Sequence, residues 1–279
     1  MGAGDPRYTE QGKMDFRLTR QITYYKKQDP PPDRVKPIPV QVIRYIMHAA
    51  LVAGAFPGNL ATADMIALAF FFLLRPGEYT ATPSETTPFT LQDVQMFAGL
   101  RRLDLRTATD YELRAATFAS LTFTTQKNAV RGEVIGLAKS GNPELCPVLS
   151  IARRVIHLRK NHANSDTPLS MCHDGNGWRK VSPADITSAL RTTVLALGPS
   201  RLGFNASDIS ARSLRAAGAM ALLCAHVDSD TIRLLGRWRS DEMLRYLHLQ
   251  AEPVMCNFSA MMLQGGQFIL NPNQDVPQV

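Results

Sequence analysis

Apolar residues recur at helical spacing along most of this chain and give way to a strand-like pattern once. Val40, Ile43, Ile46, Met47, Ala50 and Leu51 share one face of a 3.6-residue period and predict a first helix. Residues 62–74 predict a second, ended by Arg75, Pro76 and Gly77, because proline disfavours helical geometry in the residue before it. Its apolar run, 66–74, is too short to span a bilayer and reads as a buried helix. Between 117 and 138 the pattern changes. Residues 117–124 and 134–137 are rich in β-branched and aromatic types and flank a polar turn, which predicts a hairpin carrying Lys127 near its tip.

Helices resume over 146–159 and again after Ser182, an N-cap with Pro183 at the first helical position and a stripe of Ile186, Leu190, Val194 and Leu197. Further helices are expected over 211–225, from Asp228 through Leu235, and from Ser240 through Tyr246. The fold class this predicts is mainly α with a small antiparallel β-sheet (α+β). Residues 1–35 are polar and end in Asp29-Pro30-Pro31-Pro32-Asp33, which reads as an extension with a proline-rich linker. The globular part is expected over 36–279.

Composition narrows the chemistry. The 279 residues are 45% hydrophobic, enough for a sizeable core, and carry 31 Lys and Arg against 24 Asp and Glu, a formal charge of +7. A basic surplus of that size suits a polyanionic partner, since phosphate contacts release counterions from nucleic acid. Cys146, Cys172, Cys224 and Cys256 form no CxxC pair, and Cys172, His173 and His162 lack a second ligand pair, so no metal and no cofactor are expected. Reduced thiols and the absence of an apolar signal segment at the N-terminus predict an intracellular protein without membrane contact.

Four segments carry a resemblance. Phe72-Leu73-Leu74-Arg75-Pro76-Gly77-Glu78-Tyr79 resembles the first arginine box of the tyrosine recombinases, the phage-integrase family. Arg212-Ser213-Leu214-Arg215-Ala216-Ala217-Gly218-Ala219 resembles the second. Leu234-Leu235-Gly236-Arg237-Trp238-Arg239-Ser240-Asp241, continuing to Tyr246, resembles the terminal box that holds the nucleophile, and Lys127 lies between the first two boxes, where the family places its catalytic lysine. The wording is similar to recombinases of Crypton-like and DIRS-like eukaryotic mobile elements.

The resemblance implies a tyrosine-recombinase catalytic-domain fold and DNA cleavage and rejoining through a 3′-phosphotyrosine, in integration or excision of a mobile element. Arg75, Lys127, Arg212, Arg215 and Arg237 would bind DNA. Together with Trp238 and Tyr246 they make the implied catalytic set. Duplex DNA, a synaptic homo-tetramer and, in a eukaryotic host, a nuclear location follow. Residues 1–35 would be a remnant of the core-binding domain that clamps the far side of the duplex.

The chemistry fits the residue types. Attack on a phosphodiester builds charge on two nonbridging oxygens, which planar, permanently charged guanidiniums suit. Tyr246 would attack, Lys127 would protonate the departing 5′ hydroxyl, and Glu78 would orient Arg75. Arg212 stands where the second box usually has histidine, and Arg237 where the terminal box has histidine or tryptophan, with Trp238 beside it. Arginine cannot act as a proton acceptor at neutral pH. Three readings therefore stand open: an active strand-transfer enzyme, a catalytically impaired DNA-binding remnant, and a helical protein-interaction domain. Taken singly, Arg75 also suits a solvated helix end, Arg215 with Arg212 one turn before it a surface basic stripe, Lys127 a solvated turn, Tyr246 a core or interface, and Trp238 packing.

Overall fold

The structure is a computed structural model and describes residues 7–8, 11, 13–28, 36–52, 56–80, 88–124 and 132–238. The chain forms two compact units, Met1–Arg34 and Val35–Val279. The first holds helix α1 (Phe16–Gln28). No helix is predicted there from the apolar pattern. The segment contains no glycine or proline and is rich in residues of moderate to good helix propensity, although Phe16, Tyr24 and Tyr25 stay exposed.

In the second unit come α2 (Val40–Val52), α3 (Pro57–Phe71), α4 (Pro76–Tyr79), β1 (Val94–Ala98), β2 (Arg101–Arg102) and α5 (Asp110–Ala115). They are followed by β3 (Phe118–Phe123), β4 (Glu133–Ala138), α6 (Pro147–Lys160), β5 (Met171–His173), β6 (Trp178–Lys180), α7 (Pro183–Leu197), α8 (Pro199–Leu202), α9 (Ser213–Cys224) and α10 (Ser229–Leu235). Among the described residues no helix is long and apolar enough to cross a membrane.

Helix α3 is the axis of the core. Every residue from Ala61 to Phe70 is buried, so its surface is enclosed all round, against α2, α6, α7 and α9. It starts at Pro57 rather than at residue 62, because proline at the first helical position fits the turn after Phe56. The predicted hairpin is β3–β4, with Phe118 opposite Ala138 and Phe123 opposite Glu133. It belongs to a larger antiparallel sheet of order β2-β1-β3-β4, since β1 pairs along β3 with Val94 opposite Leu121. The small sheet is thus four strands, with a separate two-stranded β5–β6 ribbon. Helix α9 docks on α3 where Gly218 faces the carbonyl of Phe70. A Cβ at Gly218 would lie 2.2 Å from that oxygen, so only glycine allows this approach.

Candidate nucleic-acid interface: an arginine cluster at the end of helix α3

The site begins with how α3 stops. Phe72 caps it, and Leu73 turns left-handed at φ +48° while the Leu74 N–H donates to the Ala69 carbonyl at 3.0 Å. This is a Schellman ending with leucine where glycine is usual; such a conformation costs a non-glycine residue about 1–2 kcal/mol. Leu73 is fully buried against Ala219, Ile232 and Trp238, which offsets that cost. The turn aims the last carbonyls of α3, at the negative end of the helix, outward. They accept from arginines far along the chain. Arg215 donates to the Leu73 carbonyl, and Arg237 donates to Phe72 at 3.1 Å and to Leu73 at 3.2 Å.

Beyond the turn, Arg75 is the extended residue before α4, and Pro76 opens that helix instead of only ending α3. Glu78, three residues on, folds back. Its Oε2 accepts the Arg75 backbone N–H at 2.8 Å and its Oε1 accepts from the Arg75 guanidinium at 2.9 Å. Oε2 also accepts from Arg237 at 3.1 Å. Tyr79 is buried and donates to the Ala211 carbonyl at 3.1 Å, tying α4 to the approach of α9. That bond occupies its phenol in structure, and burial pushes its pKa up.

Two aromatic rings complete the cluster. The Arg215 guanidinium lies 4.0 Å from the centroid of Trp238, and that of Arg237 lies 3.8 Å from the centroid of Phe123. Arg215 also donates to the Gly236 carbonyl. Gly236 has no side chain for the Trp238 ring to strike: a Cβ there would fall 1.6 Å from Cζ3. Arg75, Arg215 and Arg237 thus meet around one carboxylate and one carbonyl, with Glu133 near enough to act on Arg237 electrostatically. Burial lowers the Arg237 pKa, Glu78 opposes that shift, and Arg75 reinforces it. The Nε of Arg237 is buried without a hydrogen-bond partner.

The predicted site residues fall into three groups. Arg75, Arg215, Arg237, Trp238 and Glu78 are brought together; Arg75 is the most open of them at 27% side-chain exposure, and the Arg215 and Arg237 side chains are buried. Arg212 sits exposed just before α9 and makes no ion pair with any described residue. Lys127 and Tyr246 lie outside the described residues. Sequence reasoning missed Leu73, Phe123 and Gly236 as builders of the site. Leu73 and Gly236 stand inside the first and terminal boxes, but only as motif letters; Phe123 lies in none. Among the described residues no group of three or more His, Cys, Asp or Glu is placed to hold a metal.

No protein-family model matches the chain, and no curated protein sequence matches it. The structure is similar to that of XerH site-specific recombinase bound to difH substrate in a pre-cleavage complex. That likeness spans 93% of this chain and 67% of the other at 10% identity, with a TM-score of 0.51. The crystal structure of XerA recombinase aligns over 94% of this chain and 78% of that one at 12% identity, with a TM-score of 0.49. The fold is that of tyrosine-recombinase catalytic domains, mainly helical with a small antiparallel sheet.

Proposed function

We propose that this chain binds duplex DNA and cleaves and rejoins its strands through a tyrosine, in the integration or excision of a mobile element of the Crypton-like or DIRS-like kind. One observation carries the reading: guanidiniums from three boxes that lie far apart in sequence gather at the end of one helix. The shared fold with XerH site-specific recombinase, solved bound to its difH substrate, is consistent with it. Arg75 and Arg215 hold the nonbridging oxygens of the scissile phosphate. The Tyr246 oxygen attacks phosphorus while its proton passes to solvent, the bond to the 5′ oxygen breaks, and Lys127 supplies the proton that the departing 5′ hydroxyl takes up. The chain stays linked to the 3′ phosphate until a 5′ hydroxyl of the partner duplex attacks that phosphorus, breaking the bond to Tyr246, which takes a proton back. Synapsis of two duplexes requires a homo-oligomer, and a eukaryotic host would place the work in the nucleus.

A second reading, a DNA-binding remnant without turnover, is favoured by Arg212. It stands where a proton-exchanging histidine is usual and is itself a permanent cation. Nicked suicide duplexes separate the two. A covalent adduct that disappears in Tyr246→Phe supports the enzyme, and a salt-sensitive gel shift without adduct supports the remnant. A chain with no affinity for DNA at low salt is neither, and the protein-interaction reading takes their place.

A further inference from the structure

Arg237 was expected to face the phosphate, yet its side chain is 2% exposed and points inward. Its two terminal nitrogens are spent on Phe72, Leu73, Leu235 and Glu78, and its flat face is covered by Phe123. A guanidinium so placed has no open side from which to meet a DNA backbone. What it does meet is the carboxylate that orients Arg75. Glu78 gives Oε1 to the Arg75 guanidinium and divides Oε2 between the Arg75 main chain and Arg237. Arg75 itself engages both oxygens, so what Arg237 adds is an anchor from outside that local turn: a charged donor that ties Oε2 to the carbonyls at the end of α3.

We infer that Arg237 is a positioning residue. It locks Glu78 from behind and fixes the left-handed turn at Leu73, and through Glu78 it sets the direction of the Arg75 guanidinium. This rests on the proposed DNA reading and assigns Arg237 a place in it other than phosphate contact. Trp238 does the corresponding work for Arg215 by lying across its plane. The Arg237-Trp238 pair thereby serves two arginines in two directions, one turned under the site and one against its side.

The test is a double-substitution cycle on the full chain, with Arg237→Gln and Glu78→Gln singly and together, and Arg237→Lys as the milder variant should glutamine unfold the protein. DNA affinity is read against salt concentration, together with adduct yield on nicked duplex where the native chain forms one. A positioning role predicts that Arg237→Gln weakens DNA binding or cleavage on the order of tenfold in the native background. In the Glu78→Gln background it should cost less than about twofold and leave the slope of log affinity against log salt unchanged. Arg237→Lys, which keeps the charge without the fork, should fall between. A phosphate ligand behaves otherwise: it costs the same in both backgrounds and lowers the slope by about one in each. That result overturns the inference and leaves the DNA reading standing. No DNA binding by the native chain overturns the reading itself, and the positioning role with it.

Discussion

At the scale of single residues, the cluster depends on close contacts that tolerate little change. Trp238 lies across Arg215 only because Gly236 leaves room for its ring. Gly236→Ala is expected to push the ring off Arg215 and to destabilise the protein by about 1–3 kcal/mol, the usual cost of overpacking. Urea unfolding measures the loss. Tryptophan emission in a Trp178→Phe background reports the ring directly, since Trp178 and Trp238 are the chain's two tryptophans. A red shift is the expected result; an unchanged spectrum and midpoint would show that the ring has another place to go. The motif text named Arg75, Arg215 and Arg237, which gather here, and also Arg212, which stays exposed ahead of α9. The inward direction of the gathered arginines was not legible. It follows from the left-handed turn at Leu73, and nothing in Phe72-Leu73-Leu74 announces a conformation that leucine rarely adopts.

Among the elements, those with chemical punctuation were readable and those defined by pairing were not. Helix α7 opens at Ser182 as expected: the hydroxyl accepts from the Asp185 N–H at 3.2 Å, and Asp185 answers with a bond from the Ser182 N–H at 2.8 Å. Ser182→Ala should therefore cost about 1 kcal/mol, seen as a lower denaturant midpoint at unchanged slope. A loss within error would mean that the packing of α7 on α2 makes the cap redundant. Strand β1 went unread because Val94–Ala98 lacks clean alternation and takes its identity from β3 beside it. Helix α5 was legible in principle, since Thr109 and Glu112 spell a capping box. Pro76 read as a stop is also a start, because proline suits the first position of the next helix as well as it ends the last.

Across the whole molecule, acid should loosen the second unit in two stages. The Nε2 of His157 accepts the His173 N–H at 2.9 Å, and burial, aided by Arg154 and His173, pushes its pKa down to about 4. The unfolded chain binds that proton first, so this contribution is whole above about pH 6.5 and is lost as pH falls towards 4. Glu112, held at about 2 by the Thr109 N–H and then by Arg101, gives up its share between about 4.5 and 2. Asp64 has the opposite sign, because burial raises its pKa. Between pH 6.5 and 4.5 the thermal midpoint should therefore fall, and His157→Gln, which keeps an acceptor and removes the titration, should flatten that fall. An equally steep decline in the variant would assign the slope to another group.

The oxygen of Leu73 receives its donors from residues 142 and 164 positions further along. A ribosome delivers α2, α3 and the whole sheet well before it delivers Arg215. Throughout that interval the carbonyls at the end of α3 lack these donors, and the left-handed turn at Leu73 lacks the packing that offsets its cost. Entropy opposes closing so long a loop until the neighbouring helices have docked. The arginine cluster therefore closes only after Arg215 and Arg237 have followed α3 out of the ribosome, and a nascent chain that stops short of them holds the end of that helix without its donors.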